Sequence, residues 1–89
     1  MVLDPNGDSP EARVIAVVQR LLGERSITRL VRPSDDLREV GLTSLDMVSL
    51  VFSVEAEFDL TIPEISIAPV HFRSVAAISN LVTTLLHDQ

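Results

Sequence analysis

The 89-residue chain contains no cysteine, tryptophan, tyrosine or lysine. Without cysteine it can form neither disulfides nor thiolate metal sites. Its only large aromatic residues are three phenylalanines, so a core must come mainly from valine, leucine and isoleucine. Thirteen acidic residues and seven arginines give a net charge of −6. Because this charge repels phosphates and no basic stripe exists, we expect no nucleic-acid partner and instead a basic protein partner.

Long apolar runs are also missing. None approaches the ~20 residues that span a bilayer, and the acidic N-terminus lacks the basic start of a signal peptide. We therefore expect a cytoplasmic protein and a monomer, with one domain at 9–89 behind a flexible leader at 1–8. His71 and His87 stand alone and the spacing of a calcium loop is absent, so no metal site is predicted.

Three segments have apolar residues at helical spacing. The first helix is predicted at about 10–22, ending at Gly23. The second is predicted at about 44–58 with Ser44 as its N-cap, and the last begins after Ser74. The inward positions predicted for the last helix are Val75, Ile78, Leu81, Val82, Leu85 and Leu86.

A fourth, short helix is predicted between the second and the last. Thr61 and Glu64 have the spacing of a capping box, and Pro69 would end the helix that they start. No segment shows sustained strand alternation. The sequence therefore predicts an all-α four-helix bundle of three longer helices and one short helix, with a long loop, 23–43, between helices one and two.

Helix two has three faces when its residues are placed 100° apart. The predicted inward face is Met47, Leu50, Val51, Val54 and Phe58. The polar face is Asp46, Ser49, Ser53 and Glu57. The third face, the Ser44 strip, is Ser44, Val48, Phe52, Glu55 and Asp59. Its apolar residues are either additional core or a docking surface with an acidic rim.

Ser44 is presented at the start of helix two, after the loop that Gly41 ends. No histidine or lysine lies nearby in the sequence to activate its hydroxyl. Gly41-x-x-Ser44 is also not the Gly-x-Ser-x-Gly pattern of a nucleophile elbow. A hydroxyl presented in this way suits another enzyme's chemistry as an acceptor, so we predict that the chain is not itself an enzyme.

The region from Asp36 to Pro63 resembles the acyl carrier proteins. It contains Gly-Leu-Thr-Ser-Leu-Asp at 41–46 and the helix ending Glu-Ala-Glu-Phe-Asp-Leu-Thr-Ile-Pro at 55–63. Together with the leading helix, the long loop and the Phe-Arg-Ser-Val entry to the final helix, the resemblance covers nearly the whole chain.

This resemblance implies a serine, matched by Ser44, that is esterified by 4′-phosphopantetheine from coenzyme A. It also implies three kinds of partner: a phosphopantetheinyl transferase, an acyl- or aminoacyl-loading ligase that forms a thioester, and a downstream transferase or synthase. A helix N-terminus favours the phosphate formed there. The predicted docking residues beside Ser44 are Leu45, Asp46, Val48, Phe52 and Glu55.

Three features depart from the family pattern. Thr43 stands where the family usually has aspartate, and Ser49 stands where fatty-acid carriers usually have glutamate. The segment between Pro63 and Phe72 is nearly neutral rather than acidic. These differences favour a specialised carrier of an aminoacyl, polyketide-like or modified acyl group over a housekeeping fatty-acid carrier. The alternative is a small acidic helical adaptor without a prosthetic group.

Overall fold

The computed structural model describes residues 9–87. Its elements in chain order are α1 (Pro10–Glu24), α2 (Leu37–Val40), α3 (Ser44–Phe58), two 3₁₀ turns (Glu64–Ser66 and Pro69–His71) and α4 (Val75–His87). No strand occurs within those residues, and the predicted all-α architecture is confirmed. The short α-helix lies inside the predicted long loop, and the leader predicted at 1–8 lies outside the described residues.

The core lies between α1, α3 and α4, with α1 packed against both of the others. The largest fully buried side chains are Val14, Val17, Val18, Leu22, Leu37, Leu50, Val54, Val75, Ile78 and Val82. All of them are valine, leucine or isoleucine, as the composition predicts. Phe58 and Phe72 join this core, whereas Phe52 stays outside it.

The end of α1 lies two residues beyond its predicted position. The helix continues through Gly23 to Glu24. The chain turns at Ser26, whose φ is 61°, and the N–H groups of Ser26 and Ile27 donate to the carbonyls of Gly23 and Leu22, each at 2.9 Å. Because Ser26 takes the left-handed conformation, the turn does not require the glycine that was predicted to end the helix.

The capping box predicted at Thr61 is wrong. The first 3₁₀ turn begins at Glu64, and no side chain caps it. Instead, the N–H of Ile62 donates to Glu55 Oε2 at 2.8 Å, which anchors this segment to α3 before the turn begins. The cap predicted at Ser74 is present, because its Oγ accepts the Ala77 N–H at 3.1 Å.

One residue of the predicted inward stripe of α4 is misplaced. Leu86 is 42% exposed, whereas the other five are buried or half-buried. It lies in the last turn of α4, where the neighbouring side chains at 83, 84 and 87 are also exposed. The helix reaches the edge of the described bundle there, so helical periodicity continues after the packing has ended.

The loop between α1 and α3 is fixed to the bundle by hydrogen bonds from its backbone N–H groups. The Val31 N–H donates to Gln19 Oε1 at 2.7 Å. The Leu37 N–H donates to the Arg73 carbonyl at 2.8 Å, which joins α2 to the chain just before α4. This contact places α2 and Arg73 together near the start of α3.

Gly41 makes the tight connection from α2 to α3. Its φ is +135°, and a Cβ at this position would lie 2.8 Å from Cδ1 of Ile27. Residues with side chains rarely adopt this backbone conformation. A glycine here therefore allows α3 to begin with only three residues, 41–43, between it and the end of α2, which fixes Ser44 close to the loop.

Candidate functional site

Ser44 is the exposed first residue of α3, and not its N-cap as predicted. Thr43 is the N-cap. The Asp46 N–H donates to Thr43 Oγ1 at 3.3 Å, and the Thr43 N–H donates to Asp46 Oδ2 at 2.8 Å, which forms a reciprocal capping box. Because Thr43 provides the cap, the Ser44 hydroxyl is not needed for it.

Arg25, just after α1, reaches this capping box. Its Nε lies 2.9 Å from Asp46 Oδ2, and its Nη2 lies 3.4 Å from Thr43 Oγ1. The hydrogen bond from the Thr43 N–H, helped by the Thr43 hydroxyl and Arg25, lowers the pKa of Asp46 below its ordinary value despite partial burial. The network connects α1 to the start of α3, directly beside Ser44.

The capping box leaves two backbone N–H groups at the start of α3 without a hydrogen-bond acceptor. The first four N–H groups of a helix have no intrahelical acceptor, and the box satisfies those of Thr43 and Asp46. The N–H groups of Ser44 and Leu45 remain, on exposed residues. Together with the positive end of the helix dipole they favour a phosphate on the Ser44 oxygen. The local structure therefore fits a phosphopantetheine group.

A cleft of about 400 Å³, the Ser44 cleft, opens beside the serine. Its apolar lining is Met47, Val48, Val51, Ile67, Ala68, Pro69 and Phe72. Its polar lining is Ser44, Asp36, Arg38 and Arg73. No histidine is among these residues, so the cleft lining offers no imidazole to act as a general base on Ser44.

The apolar part of the Ser44 strip faces solvent together with its neighbour Leu45. Leu45 is 77% exposed, Val48 is 53% exposed and Phe52 is 65% exposed. On the predicted inward face, Leu50, Val51, Val54 and Phe58 are buried, and Met47 is half-buried. The exposed side chains are available to a partner, and their role in docking stays a prediction.

Two carboxylates of the predicted docking set are engaged within the chain. Asp46 is held by Thr43 and Arg25. Glu55 accepts the Ile62 N–H and so fixes the segment that follows α3. Asp59, with a φ of 52°, ends the helix in the left-handed conformation and is exposed. The acidic rim available to a partner is therefore thinner than the sequence suggests.

Sequence reasoning missed three arginines around Ser44. Arg25 follows α1, Arg38 lies in α2 and Arg73 precedes α4. No periodicity or motif relates positions so far apart in the chain. Only the packing of the helices and the hydrogen bond between α2 and Arg73 bring them to the same region.

Within 9–87, no group of three histidine, aspartate or glutamate residues could hold a metal ion. Among the helices of that range, none has the length and apolar character needed to cross a membrane.

Residues 12–82 match the family described as "Phosphopantetheine attachment site". The chain belongs to this family of carrier proteins. Membership in this family confirms three predictions: the resemblance to the acyl carrier proteins, the phosphopantetheine cofactor, and the role of a carrier rather than an enzyme.

This carrier is similar to two aminoacyl carrier proteins of Bradyrhizobium diazoefficiens. It is 45% identical to aminoacyl carrier protein 1 over 74 residues, which are 83% of this chain and 82% of that relative. It is 42% identical to aminoacyl carrier protein 2 over 74 residues, which are 83% of each. These relatives agree with the prediction of a specialised carrier.

Two crystal structures of complexes contain chains with the same fold. One is Bradyrhizobium japonicum glycine:[carrier protein] ligase with glycylated carrier protein, matched with 39% identity and a TM-score of 0.77 over 83% of this chain and 99% of that chain. The other is the same ligase with its cognate carrier protein and an analogue of glycyl adenylate, matched with 40% identity and a TM-score of 0.79 over 86% and 99%.

Because Thr43 caps α3 and Thr61 caps no helix, replacing these two threonines should change the free energy of unfolding by different amounts. We expect Thr43→Ala to lower the free energy of unfolding by about 1 kcal/mol, because loss of an N-cap typically has this effect. Thr61→Ala, at an exposed position outside any cap, should change it by less than about 0.5 kcal/mol. Unfolding in urea, monitored by circular dichroism, measures the free energy change for both variants. Equal effects at the two positions would show that Thr43 does not cap α3.

The lowered pKa of Asp46 predicts a pH-dependent contribution to stability. Ionised Asp46 stabilises the fold above its ordinary pKa of 3.8, and the contribution is lost as the pH falls through the lower pKa of the folded state. The difference in free energy of unfolding between the wild type and Asp46→Asn should therefore be largest near about pH 6 and shrink below about pH 4. A difference that grows toward acid pH would contradict this assignment.

Proposed function

We propose that this carrier holds an amino acid as a thioester on a 4′-phosphopantetheine arm attached to Ser44. The observation that carries the proposal is the position of Ser44. It is an exposed hydroxyl at the first position of α3, beside a cleft and two remaining N–H groups. The 45% identity to an aminoacyl carrier protein supports an aminoacyl cargo.

The residues around Ser44 hold it in position but do not activate its hydroxyl. The prosthetic group supplies a thiol that holds the cargo as a thioester. Ser44 supplies the oxygen to which the group is attached, while Thr43 and Asp46 fix the first turn of α3 and Arg25 connects that turn to α1. Because no histidine lines the cleft and the sequence has no lysine, we assign the base that takes the hydroxyl proton to the transferase.

The partner for loading is an amino acid:[carrier protein] ligase. The solved complexes pair similar carriers with a glycine ligase. The exposed Leu45, Val48 and Phe52 supply apolar surface beside Ser44, and apolar side chains form the centre of most protein interfaces. We assign 9–89 to one carrier domain, since its helices share one core. The cytoplasm, which holds the coenzyme A and amino acids used for loading, is its proposed location.

Mass spectrometry tests this proposal in two steps. After incubation with coenzyme A and a broad-range transferase, the intact mass should rise by one phosphopantetheine, and peptide mapping should place it on Ser44. Incubation with a glycine ligase, ATP and glycine should then add one aminoacyl group that a thiol removes. Modification at Ser49 or Ser53, or none with any transferase, would contradict attachment at Ser44, and the last result would favour the adaptor alternative.

We also expect a long acyl chain to leave the melting temperature nearly unchanged. Leu50, Val54 and Ile78 are fully buried, and a closely packed interior has few voids larger than a water molecule. The open Ser44 cleft is lined partly by charged groups, which resist burial under methylenes. Thermal unfolding of octanoyl- and glycyl-loaded protein makes the comparison. A rise of many degrees for the octanoyl form alone would show sequestration inside the bundle.

A further inference from the structure

The Ser44 cleft contains two arginines without an ionic partner in the described chain. Four of the seven arginines in the sequence lie within 3.7 Å of a carboxylate oxygen: Arg13, Arg25, Arg29 and Arg32. Within residues 9–87, neither Arg38 nor Arg73 has such a contact, although the chain is strongly acidic. Both line the same cleft as Ser44.

The backbone brings these two arginines to one end of the cleft. The Leu37 N–H donates to the Arg73 carbonyl at 2.8 Å, so Arg73 lies against the start of α2, one residue from Arg38. Asp36 also lines the cleft, but its Oδ1 accepts the Arg38 N–H at 2.9 Å as the cap of α2. The cleft lining thus carries two guanidinium groups and one carboxylate, in a chain whose net charge is −6.

We propose that Arg38 and Arg73 bind the phosphodiester of the phosphopantetheine arm and hold the arm along the Ser44 cleft. This inference rests on attachment at Ser44, as proposed above. A phosphodiester carries one negative charge, and a guanidinium group matches phosphate oxygens with paired N–H donors. The anion would be formed on a serine that lines the same cleft as both side chains.

The remainder of the cleft suits the remainder of the arm. Val48, Val51 and Phe72 line its apolar wall, which can cover the branched dimethyl part of pantetheine. The volume of about 400 Å³ lies in the usual range of small-molecule sites. Both arginines are exposed, so water and salt weaken their pairs with the phosphodiester, and a partner enzyme can withdraw the arm.

Nuclear magnetic resonance of the holo protein tests this inference. The ¹H–¹⁵N spectra of apo and holo protein give the amide shifts caused by the arm, and ³¹P spectra report on the phosphodiester. We expect shifts at Val51, Ala68 and Phe72, which line the cleft away from the serine in sequence. In Arg38→Gln/Arg73→Gln these shifts should fall by roughly half or more, because the charge-assisted contacts are lost. The control is Arg20→Gln, an exposed arginine of α1 outside the cleft, which should retain them.

Salt provides a second readout on the wild type. Raising the salt from about 0.1 M to about 1 M shortens the Debye length from about 10 Å to about 3 Å, and should reduce the same shifts. Shifts confined to residues next to Ser44, or cleft shifts that persist in the double variant, would overturn the inference. The intact mass of each sample distinguishes failure of this inference from failure of the proposed function. A protein that carries the arm but lacks the cleft shifts contradicts only the inference, whereas a protein that gains no arm contradicts attachment at Ser44. Circular dichroism of each variant confirms that it is folded.

Discussion

Ser44→Ala should abolish attachment of phosphopantetheine and all later loading, while the protein stays folded. No other serine combines an exposed hydroxyl with the first position of α3 and the two N–H groups left by the capping box. Since Thr43 and not Ser44 caps the helix, and alanine is the best helix former, the free energy of unfolding should change by less than about 0.5 kcal/mol. Intact mass and urea unfolding measure the two effects.

The matched control is Ser49→Ala in the same helix. Ser49 is also exposed, but it lies in the interior of α3 and away from the helix N-terminus. The Ser49→Ala variant should therefore gain phosphopantetheine on Ser44 at the wild-type rate. If Ser44→Ala still gained one phosphopantetheine, or unfolded where Ser49→Ala did not, the assignment of Ser44 as an exposed attachment site would be wrong.

Two phenylalanines of α3 should respond in opposite ways to truncation. Phe58 is buried, and the Arg13 guanidinium carbon lies 4.4 Å from the centre of its ring. Phe58→Ala should therefore lower the free energy of unfolding by about 3–5 kcal/mol. That is a large part of the 5–15 kcal/mol typical of a small domain, so thermal unfolding should show a strongly reduced melting temperature.

Phe52→Ala should instead affect loading and leave stability nearly unchanged. Phe52 is 65% exposed and shares a face with Ser44 and Val48. If a ligase covers this face, removing the ring should reduce kcat/KM for loading by about tenfold, the effect of losing one apolar anchor worth about 1.4 kcal/mol. Its cost in unfolding free energy should stay below about 0.5 kcal/mol.

Kinetics with the ligase and urea unfolding distinguish the possible results for Phe52. A loss of several kcal/mol of stability would place this side chain in the core. Unchanged loading kinetics in a stable variant would remove Phe52 from the docking surface. An effect on KM larger than that on kcat is expected, because the contact is made on binding the carrier and not at the reacting thiol.

The sequence alone determined the parts of this protein that depend on local patterns. Helical spacing of apolar residues located α1, α3 and α4, because each helix buries one stripe of its surface. The motif at 41–46 marked the turn before α3, since Gly41 must adopt a positive φ there. The inward side of α3 also followed from periodicity, since Leu50, Val54 and Phe58 are buried. Periodicity left open whether Phe52 belongs to the core, and the packing leaves it exposed.

The tertiary structure decided what depends on competition between neighbouring groups or on contacts between distant segments. Both Thr43 and Ser44 could have capped α3, and the reciprocal bonds with Asp46 determined that Thr43 does so. Arg25 reaches this box across 21 positions of sequence, and no local pattern encodes such a contact. In the same way, the Ser44 cleft is lined by segments that lie far apart in the chain. The hydrogen bond from the Leu37 N–H to the Arg73 carbonyl is one of the contacts that join them.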